Sequence, residues 1–263
     1  GGAVARLCPL FSGSKGNSYY IGSKTAGILI DAGRSAKQLV NMLTACEVGP
    51  GAVQAIFITH EHTDHVSALR VFLKRHPVPV FASRGTIREL SGTLENATLY
   101  EMERDVQIAD MTINGFHTSH DCAEGMGYTV RTADSRKFTL ATDLGYVSDE
   151  VEESLLGSDF VVLESNHDLD MLRYGPYPYM LKQRILSNRG HLSNDACAAL
   201  LPKLAKYGTT RFLLAHLSQD NNTRAAALEA SLETLVAGGF IHGEDFIVDA
   251  AKPVNDEARS ILF

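Results

Sequence analysis

The sequence predicts a layered α/β protein, and three observations carry that expectation. Short apolar runs alternate with helical patterns along the whole chain, as they do where helices cover sheets. No repeat, low-complexity tract or Pro/Ser-rich linker divides the 263 residues, so residues 1–263 read as one domain. At 44% hydrophobic the chain can bury a large core, roughly three-quarters of its unfolded surface at this size. That excludes a disordered protein, which needs low hydrophobicity and high net charge.

Taken in order, strands are expected over residues 4–10, 27–30, 55–59, 111–116, 126–131, 137–141, 160–163 and 211–215. Helices are expected over 36–44, 66–75, 179–186, 195–206 and 223–237. The last is the clearest: Ala, Leu and Glu dominate it, Asn222 or Thr223 can cap its start, and Gly238-Gly239 ends it. No apolar run reaches 18 residues, so no membrane span is expected. Gly1-Gly2-Ala3 lacks the basic and apolar segments of a secretory signal. Cys8, Cys46, Cys122 and Cys197 stand far apart with no CxxC pair, which reads as reduced thiols in a cytoplasmic protein. The net charge of −7 argues against coating nucleic acid by bulk charge but leaves room for a local basic groove.

One regularity goes beyond propensity. A polar, chemically capable residue repeatedly follows an apolar strand: Asp31, His60, Asp143, Glu164 and His216. Sites in layered α/β folds form at strand ends, where a rigid sheet aims side chains into a shared crevice. The sharpest local motif is His60-Glu61-His62-Thr63-Asp64-His65. Two histidines at i and i+2 leaving a strand can grip one ion. Asp64 and His65 open the next helix and point elsewhere, which suits a second ion. Imidazole and carboxylate are ligands that zinc, manganese and iron accept.

This motif resembles the HxHxDH signature of the metallo-β-lactamase superfamily. The resemblance implies a four-layer αβ/βα sandwich with a dinuclear metal site at one edge. It also implies roles in chain order. Asp31, in Leu-Ile-Asp-Ala-Gly, would support the site from behind. His120, in Thr-Ser-His-Asp, would complete the first metal with His60 and His62. Asp143 would bridge both metals, and His216 would join Asp64 and His65 on the second. His117 is the local rival of His120, while His76 and His242 read as ordinary surface histidines.

Within the superfamily, many true β-lactamases place a cysteine on the second metal, and no cysteine here lies in a matching motif. The oxygen-reducing diiron branch has glutamate at the second histidine of the signature, where this chain has His62. Thioester or lactone hydrolases and phosphodiesterases remain. Three features favour phosphodiester cleavage. Glu164 and His191 resemble a pair that protonates the leaving oxygen in tRNA-processing phosphodiesterases of this superfamily; His167 is a competing acid or substrate contact. Residues 171–194 hold Arg173, Lys182, Arg184 and Arg189 with Tyr174, Tyr177 and Tyr179 and no acidic residue. Such cations neutralise backbone phosphates, and tyrosines stack on unpaired bases. Finally, the loop 12–18 offers Ser12, Ser14 and Asn17 as phosphate donors among small residues.

Together, Ser-Gly-Ser-Lys-Gly-Asn, Glu-Ser-Asn-His-Asp and the segment from Ser187 to Asn194 resemble the YycJ/WalJ group of bacterial metallo-β-lactamase-fold hydrolases. The resemblance implies a cytoplasmic nuclease with 5′-end-directed exonuclease action on DNA. About 73 residues separate Asp143 from His216, too few for the extra domain that β-CASP nucleases insert there. The expected machinery is two divalent ions, zinc or manganese with iron also compatible, activating a hydroxide that Asp64 orients. His191, backed by Glu164, is the expected acid. Ser12, Ser14, Asn17, His167, Arg184 and Asn194 are the expected substrate contacts. A thioester or lactone hydrolase on the same metals, or a non-catalytic nucleic-acid-binding module, are the alternatives.

Overall fold

A computed structural model describes residues 5–95 and 97–263. Residue 4 of the expected first strand and the Gly1-Gly2-Ala3 segment lie outside the described residues.

The first half builds β1 (Arg6–Phe11), β2 (Ser18–Gly22), β3 (Gly27–Ile30), α1 (Ala36–Ala45) and β4 (Val53–Phe57). It continues through α2 (Thr63–Val66), α3 (Leu69–Arg75), β5 (Val80–Ala82), α4 (Arg84–Ser91) and β6 (Leu99–Glu101). The second half opens with β7 (Val106–Ile108), β8 (Met111–His117), β9 (Met126–Arg131), β10 (Lys137–Ala141), α5 (Asp149–Leu155) and β11 (Phe160–Glu164). Then come α6 (Leu169–Tyr174), α7 (Tyr179–Leu186), α8 (Asn194–Lys206), β12 (Arg211–Ala215), α9 (Arg224–Ala237), β13 (Ile247–Ala250) and β14 (Ile261–Leu262).

Among the described residues these strands make two seven-stranded sheets. The first runs β14-β1-β2-β3-β4-β5-β6 and the second β13-β12-β11-β10-β9-β8-β7. Strand alternation explains the layering. Phe160 and Val162 of β11 face the core between the sheets with Ile28, Ile30 and Phe57 of the first sheet. Val161 and Leu163 face the other way, onto Leu201 and Leu204 of α8 and Leu235 of α9. On the far side, Leu29 and Ile56 pack against Leu39 and Leu43 of α1 and Phe72 of α3. Strands buried on both faces read as unbroken apolar runs, which is why the central ones were legible. The result is helices, sheet, sheet, helices: the expected four-layer αβ/βα sandwich.

Some expectations shift. The strand expected at 55–59 ends at Phe57, so Thr59 is free to bond Asp31, and the helix expected at 66–75 starts later, as α3 at Leu69, with Val66 closing the separate short α2. Thr223 caps α9, its hydroxyl accepting from the Ala226 N–H. Asn222 is turned inward onto the Ser165 carbonyl. All four cysteines are free thiols. No helix among the described residues is long and apolar enough to cross a membrane.

Parallel pairing places the site. β3 and β4 run parallel, as do β10, β11 and β12. Within each sheet these strands therefore end on one side, with β8, two antiparallel steps from β10, joining the second set. The groups His60/His65/Asp143 and Asp64/His65/His216 show that the two sets meet at one edge.

Candidate metal centre

Three of the residues at these strand ends hold a left-handed backbone without being glycine: Asp31 (φ 63°), Asp143 (φ 57°) and His216 (φ 56°). Such conformations cost of order 1–3 kcal/mol each and persist only where the surroundings fix them. All three are buried.

The structure gathers His60, His62 and His120 within ligand distance of one another, and Asp64, His65 and His216 likewise. Asp143 stands between the groups. Its Oδ1 lies 3.5 Å from His216 Nε2 and 3.7 Å from His120 Nε2, and its Oδ2 lies 3.2 Å from His65 Nε2. The back of each ring is tied down. His60 Nδ1 lies 3.0 Å from the Thr59 hydroxyl, which donates to Asp31. His65 Nδ1 lies 2.7 Å from Asp31 Oδ2, and His120 Nδ1 lies 2.9 Å from the Gly190 carbonyl. His216 Nδ1 lies 3.0 Å from Glu164 Oε2. Bonds of this kind fix the tautomer and present Nε2 forward. Forward, His60 Nε2 and His216 Nε2 are buried with no hydrogen-bond partner, and Asp143 Oδ2, also buried, has only the His65 contact. Buried polar atoms are nearly always satisfied, so these buried atoms, standing among the clustered His and Asp donors described above, fit divalent cations.

The charges agree. Burial depresses His60 and His120, leaving neutral rings able to coordinate. Burial would depress His65 and His216 too, but the carboxylates of Asp31 and Asp143 raise His65, and those of Asp143, Asp64 and Glu164 raise His216. Without metal, these carboxylates favour the protonated form of both rings. Their ion pairs then contribute stability fully below pH 6.5, lost as pH rises through the raised values. Metal binding near pH 7 is therefore expected to release about two protons, read from calorimetry in buffers of different ionisation enthalpy. On acidification the Asp64/His65/His216 position should empty first. Simultaneous loss of both ions, or binding without proton release, would contradict this reading.

Glu164 is fully buried. Desolvation alone would raise it, but the His191 charge and the bonds from His191 and His216 hold it at about 2. Its Oε2 accepts from His191 Nδ1 at 2.8 Å, and its Oε1 accepts the N–H groups of Leu144 and Leu192. Burial depresses His191 and Glu164 more than compensates, so the ring is raised and keeps a proton.

A cavity of about 350 Å³ opens over the cluster, lined by His62, Asp64, His120, Asp143, His191 and His216 from below. Ser14 also lines it, as do Tyr177, Arg184 and Arg189 of the basic stretch, together with Asn166, Ser218 and Asp220, which the sequence did not single out. The available signal was adjacency: Asn166 lies two residues past Glu164, and Ser218 two past His216. Asn166 donates to the His216 carbonyl at 2.8 Å.

Four of the expected substrate contacts are placed inside the fold, away from the cavity lining. Ser12 is buried and accepts both the His216 N–H and the Tyr19 hydroxyl. Asn17 spends its amide on Gly13 and on Asp64 Oδ2. Asn194 bonds Ser165 and Asn222, and His167 bonds Asn166. None of the four lines the cavity, because each satisfies neighbours inside the fold. The loop 12–18 thus braces the ligand helix α2 and leaves Ser14 at the surface. His117 pairs with Glu124 and Glu150 instead of joining the cluster. Bracing depends on Gly33: a Cβ there would stand 2.2 Å from the Asp64 carbonyl and 2.4 Å from the Asn17 nitrogen. Gly33→Ala is expected to cost about 1–3 kcal/mol by overpacking, seen as a lower urea midpoint with an unchanged m-value.

A β-lactamase superfamily domain model matches residues 27–217. An exodeoxyribonuclease YycJ of Bacillus anthracis is 35% identical over 249 residues, 93% of this chain and 94% of that protein. An exodeoxyribonuclease WalJ of Streptococcus pneumoniae is 33% identical over 259 residues, 94% and 96% of the two chains. The crystal structure of the metallo-β-lactamase-fold protein YhfI from Bacillus subtilis superposes with a TM-score of 0.73 at 15% identity, covering 99% of this chain and all of that one. The ordered ligand set, the two-sheet architecture with its site at one edge, and these matches place the chain in the metallo-β-lactamase superfamily.

Proposed function

We propose that the protein is a metal-dependent exodeoxyribonuclease, working from a 5′ end with two divalent ions, zinc or manganese. The observation that carries this reading is the orphaned His/Asp cluster beneath a cavity bearing Arg184 and Arg189. Relatives named exodeoxyribonucleases match along more than nine-tenths of the chain and support DNA as the substrate. A cytoplasmic location fits the four free thiols.

When bound, such ions act as Lewis acids toward a phosphoryl oxygen and depress the pKa of a coordinated water. His60, His62 and His120 would hold the first, Asp64, His65 and His216 the second, and Asp143 both. Arg184 and Arg189 draw the strand in and offset phosphate charge. Asp64, one-quarter exposed at the cavity floor, is placed to orient the attacking water. His191 delivers a proton to the departing 3′ oxygen from Nε2, because its Nδ1 is committed to Glu164.

The test is incubation of manganese- and zinc-loaded protein with 5′-phosphorylated DNA and RNA, each single- and double-stranded, alongside a thioester. Metal-dependent release of nucleotides from DNA ends is the expected result. Thioester turnover without nucleic-acid cleavage would overturn the proposal.

A further inference from the structure

Helix α7 buries none of its residues, and eight residues are too few for a helix to persist in water by propensity alone. It is held at its ends. Just before it, Tyr177 Oη donates to Asp220 Oδ2 at 2.7 Å, on the loop that follows His216. Near its end Arg184 pairs with Asp121 at 3.0 Å, the residue after His120. The helix therefore runs from the loop behind one half of the cluster to the loop behind the other. Leu181, Arg184 and Ile185, at i, i+3 and i+4, line the cavity. The Asp220 side is fixed: Ser218 N–H donates to the Asn166 carbonyl at 2.7 Å and Asp168 N–H to the Asn221 carbonyl at 2.9 Å.

We propose that the Tyr177–Asp220 hydrogen bond holds α7 down over the site and thereby selects strand ends over internal segments. This rests on the nuclease reading above. The cavity, about 350 Å³, takes one terminal nucleotide. A continuous strand needs a way out as well as a way in. Along Arg184 and Arg189 it meets cations; at Tyr177 it meets a hydrogen-bonded wall carrying a carboxylate. An end can stop there, whereas an internal segment enters only when that bond opens and the loop before α7 lifts.

The experiment compares circular with linear single-stranded DNA of one sequence, using the metal-loaded parent, Tyr177→Phe and Asp220→Ala. The two variants remove one bond from opposite sides. The ratio of circle to linear cleavage should rise in both by a few-fold to about tenfold, the factor that an ordinary hydrogen bond contributes. Thermal midpoints matched to the parent show that the fold is intact. An unchanged ratio, a rise in only one variant, or a parent that cuts circles as fast as linear strands would overturn the inference. A parent that cleaves neither DNA removes the nuclease reading, and this inference with it.

Discussion

Asp143→Ala is expected to empty both metal positions and to reduce phosphodiester cleavage to background. Asp143 lies within 3.7 Å of His65, His120 and His216 together, and it is buried among them. Removing it leaves no bridge between the two triads. It also removes the charge that helps keep His65 and His216 protonated without metal. The loss should exceed the about 10²–10³-fold that deleting one transition-state stabiliser costs. His62→Ala gives a graded comparison. His62 lies at the cavity, so its loss should strip the first position and leave the Asp64/His65/His216 position able to bind. Metal analysis after dialysis reads both results directly. Two ions retained in Asp143→Ala would refute its bridging role, and full occupancy in His62→Ala would remove that residue from the ligand set.

The residues of this cluster were legible in the sequence because the fold forces them into a pattern. Parallel strands buried on both faces must be apolar along their length, so a polar residue just past each end stands out. That rule isolates Asp31, His60, Asp143, Glu164 and His216 without any structure. The packing of loop 12–18 was not legible, for a complementary reason. Small residues with Ser and Asn permit either a phosphate cradle or close packing, and only tertiary contact decides between them. Here Gly33 and Asn17 pack on the Asp64 backbone, and the donors are spent inside. Asn194 was ambiguous in the same way, since a polar residue at a helix start can face a ligand or a buried amide network, and here it bonds Ser165 and Asn222. The strands β5, β6 and β7, three residues each, are too short to carry a period. β2, with Tyr19 facing the inter-sheet core and Tyr20 the helices, shows no alternation to detect. Asp220 could not be read as a partner of Tyr177, because nothing in a sequence pairs residues 43 positions apart.

His191→Ala is expected to keep both metals yet slow DNA cleavage by about 10²–10⁴-fold, the usual contribution of a general acid. The structure gives the reason for the separation. His191 Nδ1 is bonded to Glu164 at 2.8 Å, and its ring lies beside His120 and His216 at centroid distances of 5.1 and 5.3 Å. It lines the cavity, and the Glu164 charge raises its pKa against burial, so it enters the reaction protonated. His167 cannot substitute, because burial pushes it down to about 4 and its Nδ1 is turned onto Asn166. The defect should depend on the leaving group. A nucleotide's 3′ alkoxide is strongly basic and departs only with a proton. A p-nitrophenolate departs without one, so the variant should hydrolyse bis-p-nitrophenyl phosphate at close to the parent rate. His216→Ala should behave differently, emptying the second position and depressing both substrates alike. Loss of metal in His191→Ala would move that residue into the ligand set. Equal losses on both substrates in the fully loaded variant would mean that His191 positions the phosphate, with the proton coming from water in the cavity.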